Sequence, residues 1–462
     1  MDETSGSSDR DNVTDFPGAG KKKKRRKEGA GRRGFDDYPD APINKVEVED
    51  HESGDVCPDC GNGKLYKGTS RKMLSFVGAP PVAPNRIEKE VLRCNGCGKE
   101  FMSHTKNPDK WQHSARSAIT LQRVFGMPFF RLAVLQGLCK APIAASTLYM
   151  QCQGIWEDCG SVIFERLIDM VSQSHNLLID DTGARILSVI EDNKSLPEKE
   201  RRACHTTGIA CTTDKGYKLL LYLTSNEYAS ENLQKILSRN KSSKHYIKLT
   251  SDASVQNMCR LEEKERRRII WGKCFEHARN RFKELEEYHP EECGYFLKEM
   301  KCIYQVEGKW KNYCSRKRLR MHKEHSSKHV KNIYSKIEAL YRNKEVEPNS
   351  ELGKAMNYWI RHRKGLTMFL RVKGMVLDTN EVERLLKRWI LQRKNSLFYK
   401  TKNSAAVLSG LTSLVMTCQE NGVNAFEYLN WIQLRWLSVR NTQGLGYLPW
   451  DYKSEMGGLR AA

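Results

Sequence analysis

No stretch of the 462-residue chain reaches the roughly 18 consecutive apolar residues that a membrane-crossing helix needs. The opening run MDETSGSSDRDNVTDF holds no apolar core of the secretion-signal kind. From these absences neither a membrane span nor a secretory leader is expected. They predict a soluble intracellular protein: in cytoplasm or nucleoid if the host is bacterial, in the nucleus if it is eukaryotic. Acidic residues are in deficit, 56 Asp and Glu against 78 Lys and Arg, and the resulting charge of +22 favours a polyanionic partner, nucleic acid first, over a small neutral ligand. Residues 1–50 are almost without aromatics and rich in Gly and charge, so they cannot bury enough surface to offset ordering and read as a flexible arm. No Ser/His/Asp or Cys/His arrangement suggests nucleophilic catalysis. What is present suffices for real cores: 39% of residues are apolar, and the length predicts two to four domains.

Fifteen cysteines without a secretion signal point to reduced thiols, with any spaced cluster assigned to metal. Such a cluster occurs in CPDC and CNGC, which give Cys57, Cys60, Cys94 and Cys97. Two Cys-x-x-Cys knuckles supply four thiolates for a tetrahedral zinc and leave no open position, so the ion is structural. The 33 residues between the pairs exceed the usual ribbon spacing and imply a longer loop through GAPPVAPN. Within the arm, KKKKRRK contributes Lys21, Lys22, Lys23, Lys24, Arg25 and Arg26, read as a phosphate-gripping or nuclear-import segment or, equally, as a solvated charge run.

The chain then divides by hydrophobic period. Residues 51–108 form the zinc ribbon, and 112–174 read as helices, with PIAASTLYMQ following a short break in the manner of a helix-turn-helix or of a plain helical hairpin. From 175 to 289 the pattern is three strands (NLLIDDTGARILSVI, ACHTTGIACTT, YKLLLYLTS), a helix, a strand ending at Asp252, and a short strand running into a helix. This is an α/β layout. Residues 290–370 are helical and basic, an insertion; 371–412 hold a long amphipathic helix beginning DTNEVERLLKR; 413–462 are helices and a Gly-rich tail.

Asp180 in LLIDDTG, Asp252 in KLTSD and Glu383 in NEVER are carboxylates at element edges, spread over some 200 residues. Such groups cost desolvation unless they meet a cation, and two hard divalent ions about 3.5–4 Å apart are what a phosphoryl-transfer site gathers carboxylates around. Here the chain resembles the DDE transposases of the insertion-sequence-66 type. The resemblance rests on the Cys knuckles, the helical block, IDDTGARIL, SDASVQN, WGKCFEHARNRF, ELGKAMNYWIRHRKGLTMFL, DTNEVERLLKRWILQRKNSLFY, AFEYLNWI and LPWDY, in that family's order. It implies a ribonuclease H-like mixed-sheet core with a helical insertion. It also implies an Asp-Asp-Glu triad of Asp180, Asp252 and Glu383 holding Mg2+ or Mn2+, cleavage at transposon ends and joining of the freed 3′-hydroxyl to target DNA. Neighbouring strand residues face opposite sides and two helix positions differ by about 200°, so the pairs Asp180/Asp181 and Glu381/Glu383 can each give only one inward ligand. The resemblance assigns Asp180 to the first and, through an asparagine three before a Glu-Arg pair, Glu383 to the second.

Around the triad, His277 and Arg281 share a helix face that could reach a phosphate, and Arg384, Lys387, Arg388, Arg393 and Lys394 are candidates to line a channel for the DNA backbone. Trp271, Trp310, Trp359 and Trp389 read mainly as core aromatics. The expected partners are transposon-end and target DNA, further copies of the chain in a synaptic complex, and accessory element-encoded proteins. A different reading of the same residues is an inactive or domesticated zinc-containing DNA-binding protein; a third is a ribonuclease or resolvase on the same fold.

Overall fold

The computed structural model describes residues 35–37, 43, 48, 50–67, 69, 72, 79–93, 95, 97, 100–102, 108–240, 246–253 and 260–461. Of the expected site residues, 21–26 and Cys94 lie outside this set, as does the side chain of Arg388. The chain forms two compact units, 1–78 and 79–462, and the boundary falls inside the stretch expected to be one zinc ribbon. In the first unit, Cys57 N–H donates to Gly63 and Gly61 N–H to Cys57, closing a tight turn that Gly61 completes with a φ of +68°.

The second unit begins with an antiparallel pair, β1 (Val91–Arg93) and β2 (Glu100–Met102). Four helices follow: α1 (His113–Val124), α2 (Phe129–Leu138), α3 (Ala145–Ile155) and α4 (Ser161–Ser172). The α/β core comes next, with β3 (Asn176–Ala184), α5 (Leu187–Lys194), β4 (Cys204–Thr212), β5 (Lys218–Ser225), α6 (Ala229–Leu237), β6 (Ile247–Ser251), α7 (Glu263–Arg268), β7 (Ile269–Lys273) and α8 (Phe275–Lys283). The basic block is α9 (Pro290–Trp310), α10 (Ser315–Met321), α11 (Ser327–Arg342) and α12 (Glu351–Leu366). It is closed by α13 (Asn380–Ser396), α14 (Lys402–Glu420), α15 (Ala425–Leu434), α16 (Trp436–Asn441) and α17 (Pro449–Ala461).

Five strands make one mixed sheet in the order β5-β4-β3-β6-β7, antiparallel across the first three and parallel across the last three. β4 is buried on both faces over most of its length, as a strand covered by helices on each side must be. β5 lies at the sheet edge, where unpaired N–H groups invite association. Here α14 covers them. The N–H groups of Lys218, Leu220 and Tyr222 donate to Asn421, Thr417 and Ser413 respectively. Two strand residues advance about 6.7 Å and four helix residues about 6 Å, so a strand period of two matches a helix period of four over this short contact.

A main core surrounds the sheet and its flanking helices, while α8, α9, α11 and α12 build a second around Phe275, Phe282, Phe296 and Trp359. The basic block therefore has an apolar centre of its own, joined to the sheet through α8. Two elements differ from the sequence reading. ILSVI, read as the end of a strand, turns into α5, and β3 itself continues past the paired aspartates to Ala184. The Gly-rich tail is helical in α17, with Pro449 at its first position, where a missing N–H costs nothing. Among the described residues, no helix is long and apolar enough to cross a membrane.

Candidate active site

β3 pairs with β6 in parallel, with Leu178 opposite Thr250. Continuing that register two residues sets Asp252, just past β6, alongside Asp180 on the same face, at a strand spacing of about 4.8 Å. Asp180 also lies opposite Gly208 on β4. At Gly208 a Cβ would sit 2.8 Å from Cδ2 of Leu386, so the bare backbone is what lets α13 approach the sheet over Asp180. α13 presents Val382, Leu385, Leu386 and Trp389 as its buried stripe, and Trp389 stacks on Tyr222 with ring centres 5.3 Å apart. Glu383, in the first turn of this helix, thereby overhangs the same face. Arg393 ties the far end of α13 to β3 by donating to the Gly183 carbonyl.

The electrostatics register this convergence. Burial above all, with Asp252 and Glu383 adding to it and the Asp181 N–H (3.0 Å) and His277 opposing it, leaves the Asp180 carboxyl raised to about 7. Three carboxylates brought to one partly desolvated place form a donor set suited to a divalent cation. Asp181 faces the other side of β3, where it accepts from Ala229 N–H at the start of α6. Glu381 likewise turns away, paired with Lys218 at 2.6 Å.

Glu383 is held by a ring of neighbours. Thr379 Oγ1 donates to its Oε1 at 2.8 Å, Cys274 Sγ lies 3.8 Å from the same oxygen, and His277 Nδ1 lies 3.4 Å away. Cys274 follows β7, its N–H donating to Ser251 and its sulfur accepting from Thr379 N–H. Lys273, the last residue of β7, is buried between the sheet and α12, where Gly365 leaves room for its stem: a Cβ there would meet Lys273 Cγ at 2.3 Å. Burial brings the Lys273 amine down to about 7, against the opposing pull of Asp252. From α12, His362 and Tyr358 pack edge to face at 4.6 Å, and Arg281 covers the Tyr358 ring at 4.1 Å. Burial, then Lys273, Arg361 and Arg281, lower the His362 pKa.

Of the expected site residues, the structure brings Asp180, Asp252, Glu383 and His277 together, with Arg281 on the adjoining face of α8. It commits two others elsewhere. Arg384 makes a bidentate contact to Glu420 at 3.1 Å, and Arg393 is the tether to β3. Lys387 and Lys394 are exposed on α13. Cys274, Thr379, Lys273, Tyr358 and His362 were not foreseen, since only the strand register and the seating of α12 and α13 make them neighbours. The tryptophan reading holds for Trp359 and Trp389, both fully buried.

At the Cys-x-x-Cys turn in the first unit, the N–H groups of Asn62 and Gly63 donate to the Cys60 sulfur and lower its pKa, the arrangement a metal-binding thiolate requires. Cys97 belongs to the second unit. In the helical block, α3 carries neither Lys nor Arg, while α2 leaves Phe130, Val134 and Leu138 exposed.

A family model described as transposase IS66 family matches residues 114–407, more than half of the chain. The uncharacterized protein y4jD of Sinorhizobium fredii (strain NBRC 101917 / NGR234) is 27% identical over 194 residues, 41% of this chain and 37% of that protein. A second uncharacterized protein of the same strain, y4qI, is 27% identical over 112 residues, 24% of this chain and 21% of that protein. The chain thus spans little more than a third of the length of the first relative and about a fifth of the second.

Proposed function

The chain belongs to the IS66 family of transposases, and from that premise we propose that it cuts DNA at transposon ends and joins the freed 3′-hydroxyl to target DNA, with Asp180, Asp252 and Glu383 as the metal-binding acids. The observation that carries this reading is the parallel register that sets Asp252 beside Asp180, with Glu383 brought over the same face by the seating of α13 on Gly208. In support of a ribonuclease H-like core stand the order β5-β4-β3-β6-β7 and its change from antiparallel to parallel at β3. Two Mg2+ or Mn2+ ions at the acids would supply an activated water for nicking, an activated 3′-hydroxyl for joining, and charge neutralisation at the phosphate.

The side chains have separable tasks in this reading. Asp180 and Asp252, fixed by the parallel register, present oxygens from adjacent strands, and Glu383 closes the set from above, oriented by Thr379. Arg281 lies on the side of Asp252 facing α12, where a phosphodiester entering the site needs a cation. The Cys57/Cys60 and Cys94/Cys97 pairs would hold a structural zinc, and that ribbon, with the helical block 112–174, would read the element's ends. Two chains would act together in synapsis.

The test is a cleavage assay on end-containing DNA with magnesium. Asp180→Asn, Asp252→Asn and Glu383→Gln should each lower nicking by at least about a thousandfold while DNA binding survives. Any one of them that still nicks at the parental rate removes that residue from the site.

A further inference from the structure

Beside the magnesium site, the side chains form a second, chemically different cradle. Cys274 Sγ, His277 and a Glu383 oxygen all lie within 4.8 Å of one another. The individual separations are informative: sulfur to Glu383 Oε1 is 3.8 Å and His277 Nδ1 to the same oxygen is 3.4 Å. A tetrahedral ion with bonds of about 2.3 Å to sulfur and about 2.0–2.2 Å to nitrogen and oxygen holds its ligand atoms roughly 3.4–3.6 Å apart. The two edges that meet at Glu383 are therefore already close to those such an ion would set.

A second observation concerns His277. Its Nδ1 is buried and makes no hydrogen bond, although the Glu383 carboxylate is 3.4 Å away. A buried ring nitrogen facing a carboxylate without bonding to it is an expensive arrangement unless both address a common third atom. Cys274 sits directly before α8, and its sulfur accepts from the N–H groups of Thr379 and His277, while burial pushes the free thiol up to about 12.

We infer that Cys274, His277 and Glu383 bind a thiophilic divalent ion of the Zn2+ class, and that this ion, by engaging Glu383, withdraws it from the magnesium site and holds the protein inactive. Binding displaces the thiol proton to solvent and requires no redox partner. A fourth ligand would be water or the neighbouring Asp180 carboxylate. Magnesium does not compete for the sulfur, because hard ions prefer oxygen. The inhibitory half of the inference rests on the strand-transfer reading; the binding half does not.

Co2+ titrated into the full-length protein reports thiolate ligation through its near-ultraviolet charge-transfer absorption. The difference between the parental protein and Cys274→Ser isolates this cysteine from the Cys-x-x-Cys pairs. The expected result is a saturable band in the difference spectrum that Zn2+ abolishes and excess Mg2+ leaves intact. His277→Ala, at a half-exposed helical position that tolerates truncation, should weaken the Co2+ affinity by about a hundredfold while the fold persists by circular dichroism. A flat difference spectrum, or an affinity unmoved by His277→Ala, overturns the site. In magnesium-driven cleavage, Zn2+ should inhibit the parental protein at least about tenfold more strongly than Cys274→Ser. Equal inhibition overturns the switch. Absence of cleavage by the parental protein without zinc counts against the strand-transfer reading and leaves the spectroscopic result standing.

Discussion

Asp180 and Lys273 meet the same partner, Asp252, from opposite sides of the charge scale, and burial moves both toward neutrality at a pH of about 7. For Asp180 the folded pKa lies above the ordinary 3.8, so in the metal-free chain its contribution to stability is full at acid pH and is lost as the pH rises through about 7. For Lys273 the folded pKa lies below the ordinary 10.5, so its buried amine disfavours folding at low pH and the penalty lifts as the pH climbs from about 7. A divalent ion at Asp180 displaces that carboxyl's proton and is repelled by a charged Lys273 amine, which favours the neutral amine. Apparent Mg2+ or Mn2+ affinity should therefore rise as the pH passes through about 7, by about tenfold per pH unit for each proton displaced. Lys273→Met should cut that slope by about half and tighten binding on the acid side, as read by calorimetric titration across the pH range. An unchanged slope would assign the second proton to another group.

Which residues could be read from the sequence follows from the same geometry. Asp180, Asp252 and Glu383 stand out in the chain because each interrupts or opens an apolar element, where an acid is costly without a reason. Cys274, Lys273 and Thr379 carry no such mark. Cys274 reads as one of fifteen cysteines, and its closeness to Glu383 exists only once β7 has paired with β6 and α13 has settled on β4. Arg384 and Arg393 show the reverse case. Their position on the basic helix suggested DNA, yet Glu420 and the Gly183 carbonyl, distant in sequence, engage them first.

At the scale of elements, the strands of the five-stranded sheet announced themselves, while α5 and α7 did not. β5 is a long apolar run and β4 is rich in Thr and small residues that suit a covered sheet, whereas α5 begins in ILSVI, a mostly apolar pentad that fits strand or helix equally well. α7 reads EKERRR, six charged residues with no apolar period at all. What positions Glu383 is the contact between α13 and the sheet, and Gly208 is its narrowest point. Gly208→Val should lift α13 from β4 by filling the space that Leu386 occupies. The expected cost is about 1–3 kcal/mol of stability, seen in chemical denaturation. Because Glu383 moves with the helix, metal-dependent nicking should fall by more than the loss of folded protein explains. If nicking tracks folded protein alone, the helix position is not what aligns the carboxylate.

On the scale of the whole molecule, the charge is distributed in a way that the arm's basic run conceals. Residues 1–50 contain 11 Lys and Arg but 12 Asp and Glu, so the excess of +22 belongs to the rest of the chain. The helical insertion, 290–370, holds 18 Lys and Arg against nine acids. On α10, Arg318 pairs with Glu307, while Arg316 and Arg320 are exposed and Lys317 lies beside the rings of Trp310 and Tyr313. If this block grips the DNA backbone, each cation that neutralises a phosphate contributes about 0.9 to the slope of log affinity against log salt. Replacing Arg316, Lys317 and Arg320 together by Glu should then lower affinity sharply at low salt and flatten that slope by up to about 3, measured by fluorescence anisotropy on duplex DNA. Deleting 1–50 removes no net positive charge, so it should change the slope only through the local run at 21–26 and by less than the triple substitution does. The opposite ranking would move the backbone contact from the insertion to the arm.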